Sequence, residues 1–305
     1  MKQIVSVSLG SSKRNHEAKV NCLGEDFTVK RIGTDGDFKA AVNMLTELDG
    51  KVDAIGLGGV DVYLYSPEGE RYALKDGLKL MDAVKKTPVV DGSGLKNTLE
   101  REVIKYIVNN NIIDLKGKTV LMVSAMDRFG MAQSLLSAGC DMIYGDLIFA
   151  LGLDKPLYEV DELISYAKKL LPDITKLPIS MLYPTGKKQD SNPDPKFTKY
   201  YDRADIIAGD FHFIKKYMPD DLENKIIITN TVTEEDIEQL KKRNLSLLIT
   251  TTPEFGGRSF GTNVLEALLL AILNKKWEDI TDKDYLELIQ KLGLKPRIEK
   301  LTEST

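Results

Sequence analysis

The sequence predicts an α/β fold in two domains, the second a doubly wound sheet of about six largely parallel strands. Three observations carry this. Short β-branched runs ending in Gly, Ser, Asp or Pro alternate with segments whose apolar residues recur three and four apart. Such alternation marks crossover connections and a parallel sheet. The 305-residue length fits two domains, at roughly 100–200 residues each. The hydrophobic fraction of 42%, against 29% charged, belongs to a chain that can bury a core rather than a disordered one.

The first third reads as strands Gln3–Ser8 and Phe27–Ile32, helix Phe38–Leu48 and strand Ala54–Leu57. A hairpin is expected around Val62–Leu74, turning at Ser66-Pro67-Glu68-Gly69. A helix near Gly77–Lys85 and a strand Thr87–Val90 follow. The glycine-rich turn Asp91-Gly92-Ser93-Gly94 then opens a long helix, about Leu95 to Asn109.

Beyond it, six strands are expected: Thr119–Ser124, Asp141–Tyr144, Ile179–Tyr183, Ile206–Gly209, Lys225–Thr229 and Ser246–Thr251. Helices Gly130–Ala138, Val160–Leu171 and Glu234–Lys242 separate several of them. This is the strand count of a Rossmann-like sheet, whose ligands bind outside the carboxyl ends of the strands. Thr185–Lys196, rich in Lys, Asp and Pro, reads as a long loop. The expected division is residues 1–94 as an N-terminal α/β substrate-type domain, 95–115 as a connecting helix, 116–275 as the Rossmann-like domain and 276–305 as a C-terminal helical segment.

A net charge of −4 gives no electrostatic reason to expect nucleic acid or an anionic membrane as partner. The longest apolar run, Ala267 to Leu273, is far short of the roughly 20 residues of a membrane span. No targeting segment precedes the first strand, and the two cysteines suit a reducing compartment, so a cytoplasmic location is expected. Two histidines, His16 and His212, with no third ligand at a suitable spacing, predict no metal site.

The stretch from Asp91 to Ala132 reads DGSGLKNTLEREVIKYIVNNNIIDLKGKTVLMVSAMDRFGMA. Its opening turn, the Leu115-Lys116-Gly117-Lys118 lead-in, the apolar strand and the closing Gly130-Met131-Ala132 resemble the shikimate/quinate 5-dehydrogenase family. Ser6-Val7-Ser8 with the following loop, and Ser259-Phe260-Gly261 through Glu266-Ala267, extend the resemblance. The resemblance implies a site in a cleft between the two domains and an NAD(P)-dependent oxidation of a small hydroxy, cyclic carboxylic acid. NAD is the cofactor implied, and Ala125, Met126, Asp127, Arg128, Phe129 and Gly130 form the loop that would hold it. Asp146, 21 residues after Ala125 (146 − 125), stands where an NAD site has its ribose-binding acid.

Two departures stand beside this. Placed on Ala125, Asp127 and Gly130, the dinucleotide fingerprint keeps only its third glycine, and Asp127 puts a carboxylate where backbone must approach pyrophosphate. The family's catalytic lysine has no counterpart between Val52 and Leu74.

Asp91 matches the family's substrate-binding acid, and with Lys96 it forms the expected catalytic pair; a turn carboxylate bonding its own backbone is the competing role for Asp91. Ser8, Ser11 and Ser12 are expected around the substrate's polar groups. Arg258, after the last strand, suits bidentate carboxylate binding, and Glu266 takes the family's Gln position. Gly56-x-Gly58-Gly59 allows close backbone approach or a tight bend. The expected partner is a small anionic substrate, with a homodimer left open. Three readings follow: such a dehydrogenase, a derived small-molecule binding protein without nicotinamide chemistry, or a transferase or lyase.

Overall fold

The computed structural model describes residues 1–66, 69–178, 182, 195–255, 258–275 and 277–302. From the N-terminus come β1 (Lys2–Ser8), β2 (His16–Cys22), β3 (Glu25–Gly33), α1 (Phe38–Leu48), β4 (Ala54–Gly58), β5 (Tyr63–Tyr65), β6 (Arg71–Ala73), α2 (Lys75–Asp82), β7 (Val89–Val90) and α3 (Ser93–Asn109). Next come β8 (Thr119–Met122), α4 (Phe129–Ser137), β9 (Asp141–Tyr144), α5 (Asp146–Phe149), α6 (Val160–Ile174), α7 (Thr198–Arg203), β10 (Ile206–Gly209), α8 (Phe211–Tyr217), β11 (Ile226–Thr229), α9 (Glu234–Lys242) and β12 (Leu247–Thr250). The chain ends with β13 (Glu254–Phe255), β14 (Arg258–Ser259), α10 (Thr262–Leu273), α11 (Asp282–Leu292) and β15 (Arg297–Lys300).

The protein is mixed α/β, with two sheets that are largely parallel. The first has the order β2-β3-β1-β4-β7 and the second β15-β12-β11-β10-β8-β9. In the first, β3, β1, β4 and β7 are parallel and only β2 runs against its neighbour. In the second, only β15 is antiparallel, pairing with β12 from Leu247↔Lys300 to Thr250↔Arg297. Central strands such as β10 and β4 are buried along their whole length, as strands covered on both faces must be.

The chain divides into two compact units: Met1–Leu99 with Leu170–Asp190 and Glu254–Leu294, and Glu100–Lys169 with Ser191–Pro253 and Lys295–Thr305. These bounds differ from the linear division expected from sequence. α10 groups with the first sheet, because Val264, Leu265 and Ala267–Leu270 are buried in one core with Ile4, Phe27 and Val29. Each fully buried Leu there contributes about 1.5–3 kcal/mol.

Sequence expectation and structure also part at the C-terminus. Residues 276–305 were expected to be helical, but among the described residues there only Asp282–Leu292 forms an α-helix, and Arg297–Lys300 is the sixth strand of the second sheet. Strand pairing with β12 decides this, which no local signal announces. Of the expected strand Ile179–Tyr183 only Leu182 is described, and it is helical; Thr185–Lys188 and the hairpin turn residues Pro67 and Glu68 lie outside the described residues. β2 was not expected at all. Its Ala18, Val20 and Cys22 alternate with polar residues, and a two-residue Leu23-Gly24 turn joins it to β3 with Cys22 opposite Glu25. Among the described residues no helix is long and apolar enough to cross a membrane.

Candidate functional site

Each sheet has a point where connections leave toward opposite edges, and in open α/β sheets it is at this point, outside the strand ends, that ligands bind. In the first sheet it lies between β1 and β4; in the second, between β8 and β10.

In the first unit the opening is lined by residues already committed to one another. Ser8 Oγ accepts from Gly10 N (3.0 Å) and from Arg31 Nη2 (3.0 Å). Ser11 caps a short 3-10 turn by accepting from Lys13 N (3.3 Å), and Ser12 N donates to Asp35 Oδ1 (2.7 Å). The three serines expected around a substrate thus hold the loop after β1 in shape.

Gly56, inside β4, lets a helix approach. A Cβ on Gly56 would lie 2.7 Å from the backbone oxygen of Asn263 in α10. Gly92 meets the same helix: with φ at +94°, its Cβ would be 2.8 Å from Asn263 N. Both positions require glycine. Asn263 Nδ2 in turn donates to Ser6 Oγ at 2.7 Å, which fixes α10 against β1.

Asp91 closes the turn that follows β7. Its Oδ2 accepts from Val62 N (2.5 Å) and Tyr63 N (3.0 Å). Its Oδ1 accepts from Ser93 N (3.0 Å) and Ser93 Oγ (2.6 Å). A carboxylate has about four lone-pair sites, and four donors use them. That is the turn-closing role, and it leaves Asp91 no lone pair for the acid–base work expected of it.

Glu266, fully buried, reaches from α10 to the same turn. Gly92 N donates to Oε2 and Tyr285 Oη to Oε1, each at 2.6 Å. Burial first, then the nearby Asp91 charge, push its pKa up to about 8 against the opposing pull of those two hydrogen bonds and of Lys96. It joins turn, α10 and α11 in one interior network, a structural position for a residue expected at the substrate.

Lys96, one turn into α3, is different. Its Nζ lies 3.2 Å from Asp61 Oδ1, with side chains 9% and 13% exposed. Asp61 follows β4, 35 residues away in sequence, so no local pattern pairs them.

The second unit holds the loop that resembles a dinucleotide fingerprint. Asp146, 6% exposed, opens α5 after β9. Its Oδ1 accepts from Met126 N (2.7 Å) and its Oδ2 from Ala125 N (3.1 Å). Burial pushes its pKa up to about 6 in spite of these bonds, and Asp127 adds to the rise. A ribose-binding acid must present its oxygens to the ligand; these are turned onto the chain's own loop.

Arg128, 4% exposed, pairs with Glu100 and, at 3.0 Å, with Asp210 Oδ2. Asp127 Oδ2 lies 3.8 Å from its Nε. Burial opposes its charge, but Glu100, Asp210 and Asp127 outweigh burial and raise its pKa. Asp210 is held down at about 2 although burial would raise it, because Arg128 and His212 favour its charge. Asp210 N also donates to Ser124 Oγ (3.0 Å), and Asn230 Nδ2 donates to Asp210 Oδ2 (2.9 Å). The ends of β8, β10 and β11 are stapled across the opening. Phe129 and Gly130 begin α4 behind this loop.

These residues do not fit a dinucleotide diphosphate. The N–H groups of Ala125 and Met126 are taken, the cation is committed, and several carboxylates stand where phosphate would bring more negative charge. The pairing of Arg128 with Glu100 and Asp210, which decides this, carries no local sequence signal because both acids lie far from Arg128 along the chain.

Arg258 forms β14 opposite Phe255; its side chain lies outside what the structure describes. Among the described residues no group of three or more His, Cys, Asp or Glu is placed to hold a metal ion. Cys22 and Cys140 are buried and not disulfide-bonded.

Fold and site define an α/β protein of two open, mainly parallel sheets whose strand-end openings are crossed by internal polar networks. A family profile described as "Domain of unknown function (DUF8754)" matches residues 94–301, more than half of the chain, and the chain belongs to that family. A second profile, "Domain of unknown function (DUF8753)", matches residues 3–91. No curated protein matches the chain. Among solved structures it is similar to a galactofuranose binding protein, at 13% identity over 96% of this chain and 100% of that one, with a TM-score of 0.36. It is also similar to L-tryptophan dehydrogenase from Nostoc punctiforme (11% identity, 95% and 80% covered, TM-score 0.35). A third is NAD-dependent malic enzyme from Thermotoga maritima (12%, 96% and 84%, 0.34). Likeness at this level assigns neither ligand nor reaction.

Proposed function

We propose that this protein binds a small hydroxylated carboxylic acid at the strand ends of its first unit, with Lys96 receiving the acid group. The observation that carries the reading is the Lys96–Asp61 pair. Its Nζ–Oδ1 separation is 3.2 Å, and the two side chains are only 9% and 13% exposed. A nearly buried cation beside an acid at the strand ends offers a hydroxy acid one group for its carboxylate and one for its hydroxyl. The resemblance to shikimate/quinate dehydrogenases supports the ligand class. The misfit of the β8–α4 loop to diphosphate favours binding or sensing over nicotinamide chemistry.

The test is thermal unfolding with quinate or shikimate. A ligand at a hundred times its Kd stabilises by about 2.7 kcal/mol, so a clear rise in Tm is expected, and Lys96→Met removes it. The reading fails if neither acid raises Tm, or if Lys96→Met responds as the wild type does. NADH formation on adding NAD and acid would favour the dehydrogenase reading instead.

A further inference from the structure

We propose that Asp146 is a built-in occupant of the β8–α4 loop, taking the backbone donors a dinucleotide diphosphate would need and closing this sheet's opening to such a ligand. The inference does not depend on the hydroxy-acid reading, which concerns other residues in the other unit.

The argument starts from what a phosphate-binding strand–turn–helix must offer: unpaired N–H groups at the turn, glycine so that the ligand can come close, and a field favourable to anions. Here the turn runs from Ser124 to Arg128 and leads into α4. The two N–H groups at its apex, on Ala125 and Met126, both point at one carboxylate, that of Asp146. This carboxylate arrives from the end of the neighbouring strand β9, so the sheet itself delivers it. Arg128 N completes the turn by bonding back to Ser124 O and Ala125 O, both at 3.2 Å.

The remaining charges support the same conclusion. Arg128 faces Glu100 and Asp210, with Asp127 beside it. With Asp146 these make four carboxylates against one guanidinium, so a diphosphate would meet repulsion rather than attraction. A buried carboxylate with two backbone donors is an anion already seated. The nearby Asp127 charge raises the pKa of Asp146, and Asp146 in turn raises that of Tyr144.

The experiment measures amide hydrogen exchange at residues 125 and 126, together with Tm in the presence of ADP or inorganic phosphate. In the wild type at pH 7.5 both amides are expected to be protected, and neither ADP nor phosphate raises Tm. In Asp146→Ser both amides should exchange at least about ten-fold faster, as local opening becomes easy. The double variant Asp127→Asn, Asp146→Ser should gain a Tm response to ADP and phosphate. Asp146→Asn covers the case in which serine prevents folding: it keeps an acceptor for one amide, so a single amide is released. The proposal is overturned if ADP or phosphate perturbs the 125–126 amides of the wild type. It is also overturned if a folded Asp146 variant keeps both amides protected, or if the folded double variant gains no response to either anion.

Discussion

Tyr285 donates a 2.6 Å hydrogen bond to Glu266, and both side chains are buried in the first unit. The bond ties α11 to α10. Tyr285→Phe keeps the ring's packing and removes the donor, leaving the Glu266 carboxyl short of one partner. A buried polar group losing its partner costs about 1–3 kcal/mol, so a loss of stability in that range is expected in urea denaturation. An unchanged midpoint would mean that the bond contributes nothing.

Glu266 also predicts a pH dependence. Its pKa is pushed from 4.5 to about 8 in the folded chain. Between those values the folded protein holds a proton that the unfolded chain has released. Its contribution is therefore fully present below pH 4.5 and is lost as pH rises toward 8. The slope is at most about 1.4 kcal/mol per pH unit. Asp146 acts in the same direction over the narrower window from 3.8 to about 6. Glu266→Gln should remove the part of the slope between pH 6 and pH 8, measured as the difference between the two proteins' urea midpoints across that range. Parallel pH profiles would contradict the assignment.

Arg128 neutralises Glu100 and Asp210 in the second unit. Removing one partner of a buried ion pair typically costs about 3–5 kcal/mol, because the other charge stays buried. Arg128→Met should destabilise by that order, and adding Glu100→Gln should restore part of the loss. A single substitution that costs under 1 kcal/mol by chemical denaturation would show that the network relaxes into solvent.

Gly56 marks the closest approach of α10 to β4. Gly56→Ala puts a methyl 2.7 Å from Asn263 O. Backbone must then shift, at about 1–3 kcal/mol. The expected outcome is a lower Tm, with hydrogen exchange in α10 faster than in the wild type. A variant as stable as the wild type would show that the contact has slack.

Much of the fold was legible in the residues. Asp141–Tyr144 and Ile206–Gly209 are strands with the bounds that their apolar runs mark, and Phe38–Leu48 is a helix opened by Asp37, whose side chain accepts from Ala40 N at 2.9 Å. Local signals sufficed there because burial on both faces and a capping side chain are written in adjacent residues. β15 carried no such signal: Arg-Ile-Glu-Lys is a strand only because the edge of β12 offers it hydrogen bonds. The site was less legible. Lys96, Arg128 and Glu266 were all singled out, but a residue's role depends on what its polar atoms face. Asp61, Glu100, Asp210 and Tyr285 supply that, from 19 to 82 residues away.

By itself the sequence determined the alternation of strand and helix, the parallel sheets, and the positions at which charged side chains enter strand-end loops. These follow from hydrophobic period and turn chemistry, which act over a few residues. Only the tertiary structure decided that Asp146 turns inward onto its own loop, that Asp91 is saturated by four donors, and that Gly56 admits a helix. A buried polar atom must find a partner, and which partner is within about 3 Å depends on how distant segments pack.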